Sequence, residues 1–551
     1  MESEDEREEM APDVQSGLTR SQAVNLYISH TFSTWNARGY EFAAILFTTA
    51  AYPNTLEAAA LRMIIVYIAM ILLSSSVGHW VERSQDRLRT LVSTILCNRA
   101  SVILGSFLWM LILSQENLLG ETPASAPPRF VLPRNDTLKG IIFSAAITLG
   151  IIERLSASAN LISMERDWVV TVAGPTGHPY GLSNLNAVMR RIDLVCKLLS
   201  PILVSIIISA TGSVRIGVLY TGFTSLISIP IEFISAKRVW NGSPVLQAPK
   251  ALPPSISTPG SASSEEEGRS MRIRSLLRGL HRYFEGLKMY FTSAVWIPSV
   301  ALAMLHFNML TWRATFITYL INIGYSLNVI TIARAIGSMF EITSTVITPR
   351  GIVYFGRTGQ RLNVARDESE VSLLQGERQT EELANDAQTM VGLQRLGLWG
   401  MSSQLITTIP VVLAIWVISA QRNQGDIGDF SLGKTHQLNI GWSVLLFSFL
   451  AFSRLGVWIY DLTTQQITQT LLPKTQRSSF AGVENSVINV FEVMGAGAAI
   501  AFPRVEQYPW LALASLVSVA MAWCLYSAWV RSQRGHLVHW EKICHMPGER
   551  S

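Results

Sequence analysis

Twelve times along the chain a run of twenty or more mostly apolar residues recurs, at about 24–51, 55–78, 90–114, 139–163, 188–211, 213–236, 292–322, 325–350, 394–420, 437–463, 479–502 and 508–530. About 20 helical residues cross the hydrocarbon core of a bilayer. In hydrocarbon the backbone must satisfy its own hydrogen bonds, so runs of this length and number are read as helices. The chain is therefore expected to be an all-α membrane protein. Charged residues make up only 15% of its 551 residues, against about a quarter in a soluble domain. Fifteen Trp and 14 Tyr suit two interfacial aromatic belts. The first, fifth, seventh, tenth and eleventh runs are weaker because they contain charges.

Between the sixth and seventh runs lies "NGSPVLQAPKALPPSISTPGSASSEEEGRS" (241–270), rich in Pro and Ser. Such a segment cannot bury a core and reads as a disordered linker. "MRIRSLLRGLHRYFEGLKMYF" (271–291) follows, with apolar residues at helical spacing and Arg between them, as in a basic amphipathic helix at a membrane surface. The chain thus divides into an acidic tail 1–23, a six-helix bundle 24–236, a linker 237–291, a second six-helix bundle 292–530 interrupted by a polar insertion 357–392, and a tail 531–551. Twelve transmembrane helices in two bundles suggest the major facilitator type of transporter, with a cavity between the halves. The acidic start lacks the basic, then apolar, pattern of a signal peptide, so the first run is expected to stay in the mature protein. Arg83, Arg87 and Arg89, the basic linker, and Arg531, Arg534 and Lys542 fall on one side and place both termini in the cytosol. The sequon at Asn135 then lies outside, where glycosylation is sterically allowed.

No Walker A loop, H-E-x-x-H, G-x-S-x-G elbow or Rossmann fingerprint occurs. Four scattered cysteines form no C-x-x-C pair and imply neither a disulfide framework nor a zinc site. No enzyme, cofactor or nucleic-acid partner is expected; the partners are membrane lipid and a transported ion or small molecule. An ionisable residue inside a span is a functional candidate by default. "STWNARGYEFAAILF" (33–47) carries Arg38 and Glu41. "SSSVGHWVERSQDRLR" (74–89) has a Gly at a helix end before a charged turn with Arg83, a gating element or a plain topogenic loop. "SMERDWVVTVAG" (163–174) offers Glu165, Arg166 and Asp167 as a latch or a polar helix exit. "NLNAVMRRIDLVCKLLSP" (184–201) offers Arg190, Arg191 and Asp193 as gate or anchor residues, with Lys197 deeper, lining the pathway or snorkelling. Arg454 and Asp461, seven apart, share a helix face and are expected at a gate. Glu484 and Glu492 of the eleventh run face inward. His306 and Arg313, again seven apart, lie on the seventh run, where Arg313 needs a partner such as Glu341 or a wet cavity.

Taken together, "LYISHTFSTWNARGYEFA" (26–43), "ERDWVVTVAG" (165–174), "LNAVMRRID" (185–193), "SRLGVWIYDLTTQQ" (453–466) and "GVENSVINVFE" (482–492) resemble ferroportin, the solute carrier family 40 iron exporters. They occur in the family's order in both halves. The resemblance implies a twelve-helix facilitator fold and export of ferrous iron, Fe(II), from the cytosol. It implies a metal site in each half. The first-helix Asp and His of the family correspond to Ala37 and Glu41. The seventh-helix Cys and eleventh-helix His correspond to Ala314 and Gly495. Glu41 is thus the one family metal-ligand position that still offers a donor, with Asn98 on the third helix adding an amide oxygen. The missing Cys is also the family's hepcidin anchor, so no hepcidin-type regulation is expected. The family expectation is a monomer in the plasma membrane, with the vacuolar membrane as the alternative.

Two substrates follow. One is iron or another divalent metal; the other is a non-metal or chelate carried by the same fold. The pathway candidates are Arg38, Glu41, Asn98, Lys197, Arg313 and Glu492. Glu41 and Asn98 converging away from any Arg marks a cation site, whereas Arg38 or Arg313 in the same cavity marks an anion or chelate, because at about 5 Å a neighbouring charge dominates. A purely structural membrane protein ranks last, since so many intramembrane charges need a cavity or partners.

Overall fold

The computed structural model describes residues 18–52, 57–119, 134–175, 178–250, 281, 283–312, 314–363, 377–425, 440–502 and 504–534. Its principal helices are α1 (Arg20–Ala51), α2 (Glu57–Arg83), α3 (Arg87–Leu119), α4 (Arg134–Ile162), α5 (Leu182–Thr211), α6 (Val214–Asn241), α7 (Tyr283–Thr292), α8 (Trp296–Leu305), α9 (Ala314–Asn322), α10 (Leu327–Asn363), α11 (Glu377–Gly425), α12 (Ile440–Leu471), α13 (Arg477–Ala501) and α14 (Tyr508–Arg534). Among the described residues nine helices are long and apolar enough to cross a membrane, and the bent pair α7–α8 makes ten. α1 and α13 fall short because they carry polar and charged side chains.

Thr19 starts α1 through a reciprocal cap with Gln22, which satisfies two of the donors a helix start leaves free. Gly212, at φ 63°, ends α5 in the left-handed conformation that a side chain would oppose. α4 does not stop at Ile162. It passes through a π turn, Ser163–Trp168, into Val169–Val172. The wider turn advances the register by one residue, so Arg166 and Asp167 leave the helix toward different neighbours.

The seventh span departs from expectation. It is not one helix over 292–322: α8 ends at Leu305, α9 begins at Ala314, and no helix covers residues 306–312. The break is stable because its backbone is satisfied from outside. Asn308 Oδ1 accepts the Leu310 amide (2.8 Å) and Ser515 Oγ the Met309 amide (2.9 Å). The Tyr508 hydroxyl donates to the Met309 carbonyl (2.9 Å) and Arg454 Nη2 to the Leu310 carbonyl (3.1 Å). Non-helical backbone at membrane depth is tolerated where protein supplies such partners. The expected surface helix 271–291 lies partly outside the described residues; its last part is α7. Within the polar insertion 357–392, α10 runs on to Asn363 and α11 begins at Glu377; "ERQTEELANDAQ" is made largely of good helix formers.

Helices α1 and α3–α6 pack chiefly on one another, as do α8, α10–α12 and α14, whereas α2 and α13 pack chiefly on each other. In the first group one apolar cluster holds Leu26, Ile95 and Trp168, and another holds Phe47, Trp109 and Phe143. Between them α3 carries a polar layer. Arg99, 1% exposed, sends Nε and Nη2 to Glu232 of α6 (3.1 and 2.6 Å) and Nη1 to Asn98 Oδ1 (2.6 Å). The halves meet along α2 against α13 and α5 against α10. At the first seam Gly78 and Gly482 face each other. A Cβ on Gly78 would lie 2.4 Å from the Ser478 carbonyl, and one on Gly482 would lie 2.5 Å from the Ser74 carbonyl.

Gly482→Ala therefore pushes α2 and α13 apart, at about 1–3 kcal/mol for an overpacked contact. The expected result is faster thiol labelling of a cysteine placed at Ser479; unchanged labelling contradicts the close crossing.

Candidate substrate pathway and its closure

At the end expected to face the cytosol, the halves are tied by charged groups. Glu82 of α2 accepts the Ser478 and Ser479 amides (2.7 and 3.3 Å), so a carboxylate of one half caps the first turn of α13 in the other. Free amides and the helix dipole both favour an anion there. Ser479 Oγ meets His79 Nδ1 at 2.9 Å. Arg166, at the π turn, reaches Glu484 Oε2 (2.8 Å) and the Gln465 carbonyl (3.2 Å). The other Glu484 oxygen accepts Ser299 Oγ (2.8 Å), which accepts the Tyr290 hydroxyl (2.8 Å). Arg190 Nη2 pairs with Asp461 at 2.8 Å. Asn186 donates to Gln469 Oε1 (2.5 Å), whose Nε2 reaches the Glu165 carbonyl (2.7 Å). Arg191 donates to Thr345 of α10 (3.0 Å).

Asp167 points away from this seam. Arg87 holds one of its oxygens at 2.9 Å and the buried Lys250 the other at 3.2 Å. Lys250 also donates to the Val81 carbonyl (3.2 Å) and stands 3.8 Å from Glu82. Arg83, expected at the gate, is exposed; the arginine that the turn buries is Arg87. Arg454, expected to share a gate with Asp461, instead serves the break in the seventh span.

Farther along the pathway lies a second charged group. Arg38 Nη2 meets Asp193 at 2.8 Å and its Nη1 meets Glu41 at 3.3 Å; Arg154 of α4 reaches the same Glu41 oxygen at 3.1 Å. From the other half, Glu492 pairs with His306 at 3.3 Å and is an electrostatic neighbour of Glu41 and Arg154. Lys197 is exposed, and its Nζ stands 5.0 Å from the ring centroid of Trp458 on α12; the Arg190 guanidinium stands 5.5 Å from the same centroid. Asn98 gives Oδ1 to Arg99 and its amide to the Glu153 carbonyl (3.0 Å) and carboxylate (3.3 Å), and Glu153 is an electrostatic neighbour of Glu41. Arg313 lies outside the described residues. A Cβ on Gly495 would lie 3.3 Å from the Phe307 carbonyl and from Met309 Sδ, so the chain break occupies the space a larger side chain would need. Among the described residues no three His, Cys, Asp or Glu side chains are grouped to hold a metal ion. Sequence reading passed over Arg154 and Glu82 and took Arg87 and Lys250 only as topogenic charges; "IIERLS" inside the fourth apolar run was the signal for Arg154.

The family model described as Ferroportin1 (FPN1) matches residues 20–356 and 383–519. Solute carrier family 40 member 2 of Arabidopsis thaliana is 26% identical over 96% of this chain and 93% of its own. The crystal structure of a bacterial homologue of iron transporter ferroportin in an outward-facing state superposes with a TM-score of 0.67 at 17% identity, covering 94% of this chain and 100% of that one. A proton:xylose symporter of the major facilitator superfamily superposes with a TM-score of 0.54 at 11% identity, covering 93% and 95%.

Reversing one partner, as in Arg166→Glu, sets two buried carboxylates against each other and opens this end. Breaking a buried pair costs about 3–5 kcal/mol. Adding Glu484→Arg should restore most of the closure. The measurement is the distance between spin labels on α2 and α13: a double variant no nearer wild type than the single one removes Arg166–Glu484 from the latch.

Proposed function

The chain belongs to the ferroportin family, and we propose that it exports iron or another divalent metal from the cytosol by alternating access. It is a multi-pass membrane transporter of the major facilitator fold and not an enzyme. The observation that carries the proposal is the asymmetry of the seam. One end is shut by a buried pair and a half-buried pair that run from one half to the other, Arg166–Glu484 and Arg190–Asp461, and by the Glu82 cap on α13. Beyond it Arg38, Glu41, Arg154, Lys197, His306 and Glu492 remain partly or wholly exposed. Charges that close a seam and separate again as a set are what a rocking-bundle carrier needs.

In this reading Arg166, Arg190 and Asp461 form the cytosolic gate, held together by Asp193 and Arg191. Glu165 joins through its backbone carbonyl. Asp167, Arg87 and Lys250 brace the gate from the first half. The basic loops put both termini in the cytosol, with Asn135, at the start of α4, on the outer face. The plasma membrane is the expected location.

The test is radiolabelled iron flux in proteoliposomes, with iron supplied as ferrous ion and as its carboxylate complexes. Wild type should exchange iron, and Asp461→Asn, which weakens the latch, should change the rate at least severalfold. Glu41→Ala, which frees two guanidiniums in the pathway, should also change it. A wild-type protein that moves no metal in any form sinks the proposal.

A further inference from the structure

Glu41 and Asp193 are already engaged by guanidinium groups, and Glu492 faces an imidazole. Glu41 lies between Arg38 (3.3 Å) and Arg154 (3.1 Å). Asp193 is held by Arg38 at 2.8 Å with Arg190 at 3.6 Å, and Glu492 by His306 at 3.3 Å. A bare divalent ion seeking these oxygens would have to displace guanidinium groups that repel it. Iron(II) favours imidazole, carboxylate and thiolate donors, and Ala37, Ala314 and Gly495 offer none.

Lys197 is the contrasting residue. It lies near the middle of α5, one turn beyond Asp193 and on the same face. Its ammonium stands over Trp458 of the opposite half and, among the described residues, makes no salt bridge within 4.0 Å, although Asp193 is an electrostatic neighbour. A lysine at this depth calls for water or an anion. It is exposed, above the Arg190–Asp461 latch, where a ligand would touch both halves.

Resting on the metal-export reading, we propose that the metal crosses as an anionic complex with a polycarboxylate ligand, bound through Lys197. The free carboxylates of such a complex meet the ammonium directly. Arg38 and Arg154 can trade Glu41 for ligand oxygens, because guanidinium forks suit carboxylates. The metal keeps the donors of its chelator, so the protein needs no metal ligands of its own. Contact with Trp458 and Lys197 together reports occupancy to both halves just above the latch.

The experiment uses the full chain in proteoliposomes and iron citrate labelled in both metal and ligand. Metal and ligand labels should move together, saturably and in fixed ratio. Lys197→Gln should raise KM for the complex roughly tenfold or more, as loss of a charged hydrogen bond does, with little change in kcat. Lys197→Arg should recover most of the affinity, and matched thermal unfolding of the variants in detergent shows that folding is intact. Ferrous iron moving without the ligand label, or an unchanged KM in Lys197→Gln, overturns the chelate proposal while leaving metal export standing. No movement of either label, and none of free ferrous iron, overturns both.

Discussion

An ionised side chain removed from water must find its counter-charge within the protein, and the two bundles are organised around that requirement. Arg99 and Glu232 meet inside the first bundle, 1% and 0% exposed. Their separation would strand a charge in an apolar interior, so this pair belongs to the fixed body of the half. Arg166–Glu484 and Arg190–Asp461 obey the same rule across the seam. Their burial exists only while one end is shut, which makes the electrostatic requirement a property of one arrangement of the halves. Glu82 adds a third tie by capping α13, and Lys250 and Arg87 keep that carboxylate's surroundings balanced through Asp167.

The backbone follows a parallel rule. The seventh span loses helical hydrogen bonds over 306–312, and Ser515, Tyr508 and Arg454 replace them. Arg454 thus supports the broken backbone through the Leu310 carbonyl. The break also brings the Phe307 carbonyl and Met309 against Gly495. A Cβ at the position that the ferroportin resemblance associates with an imidazole would meet both at 3.3 Å.

Much of this was legible in the chain. The apolar runs announce the helices because hydrocarbon imposes length and internal hydrogen bonding. Arg38, Glu41, Arg190 and Asp461 stand out because charges are rare in such runs. Their pairing was not legible. Asp461 was matched with Arg454 because seven residues place both on one face, yet its partner is Arg190, 271 positions away in sequence. Asn98 was matched with Glu41 by type, yet it turns to Arg99. The break over 306–312 and the π turn at Arg166 leave no mark in hydropathy, because each depends on partners supplied by other helices.

The sequence by itself determined a helical, membrane-spanning chain, the family's succession of motifs and the set of charges committed to the interior. Hydropathy and residue type act locally and survive in a linear reading. Only the tertiary structure decided which charge meets which, which end of the seam is shut, and that Glu41 is bracketed by two arginines while Lys197 stands over Trp458 of the other half. Electrostatic pairing acts through space over a few ångströms, and helix packing alone sets which residues come within that range.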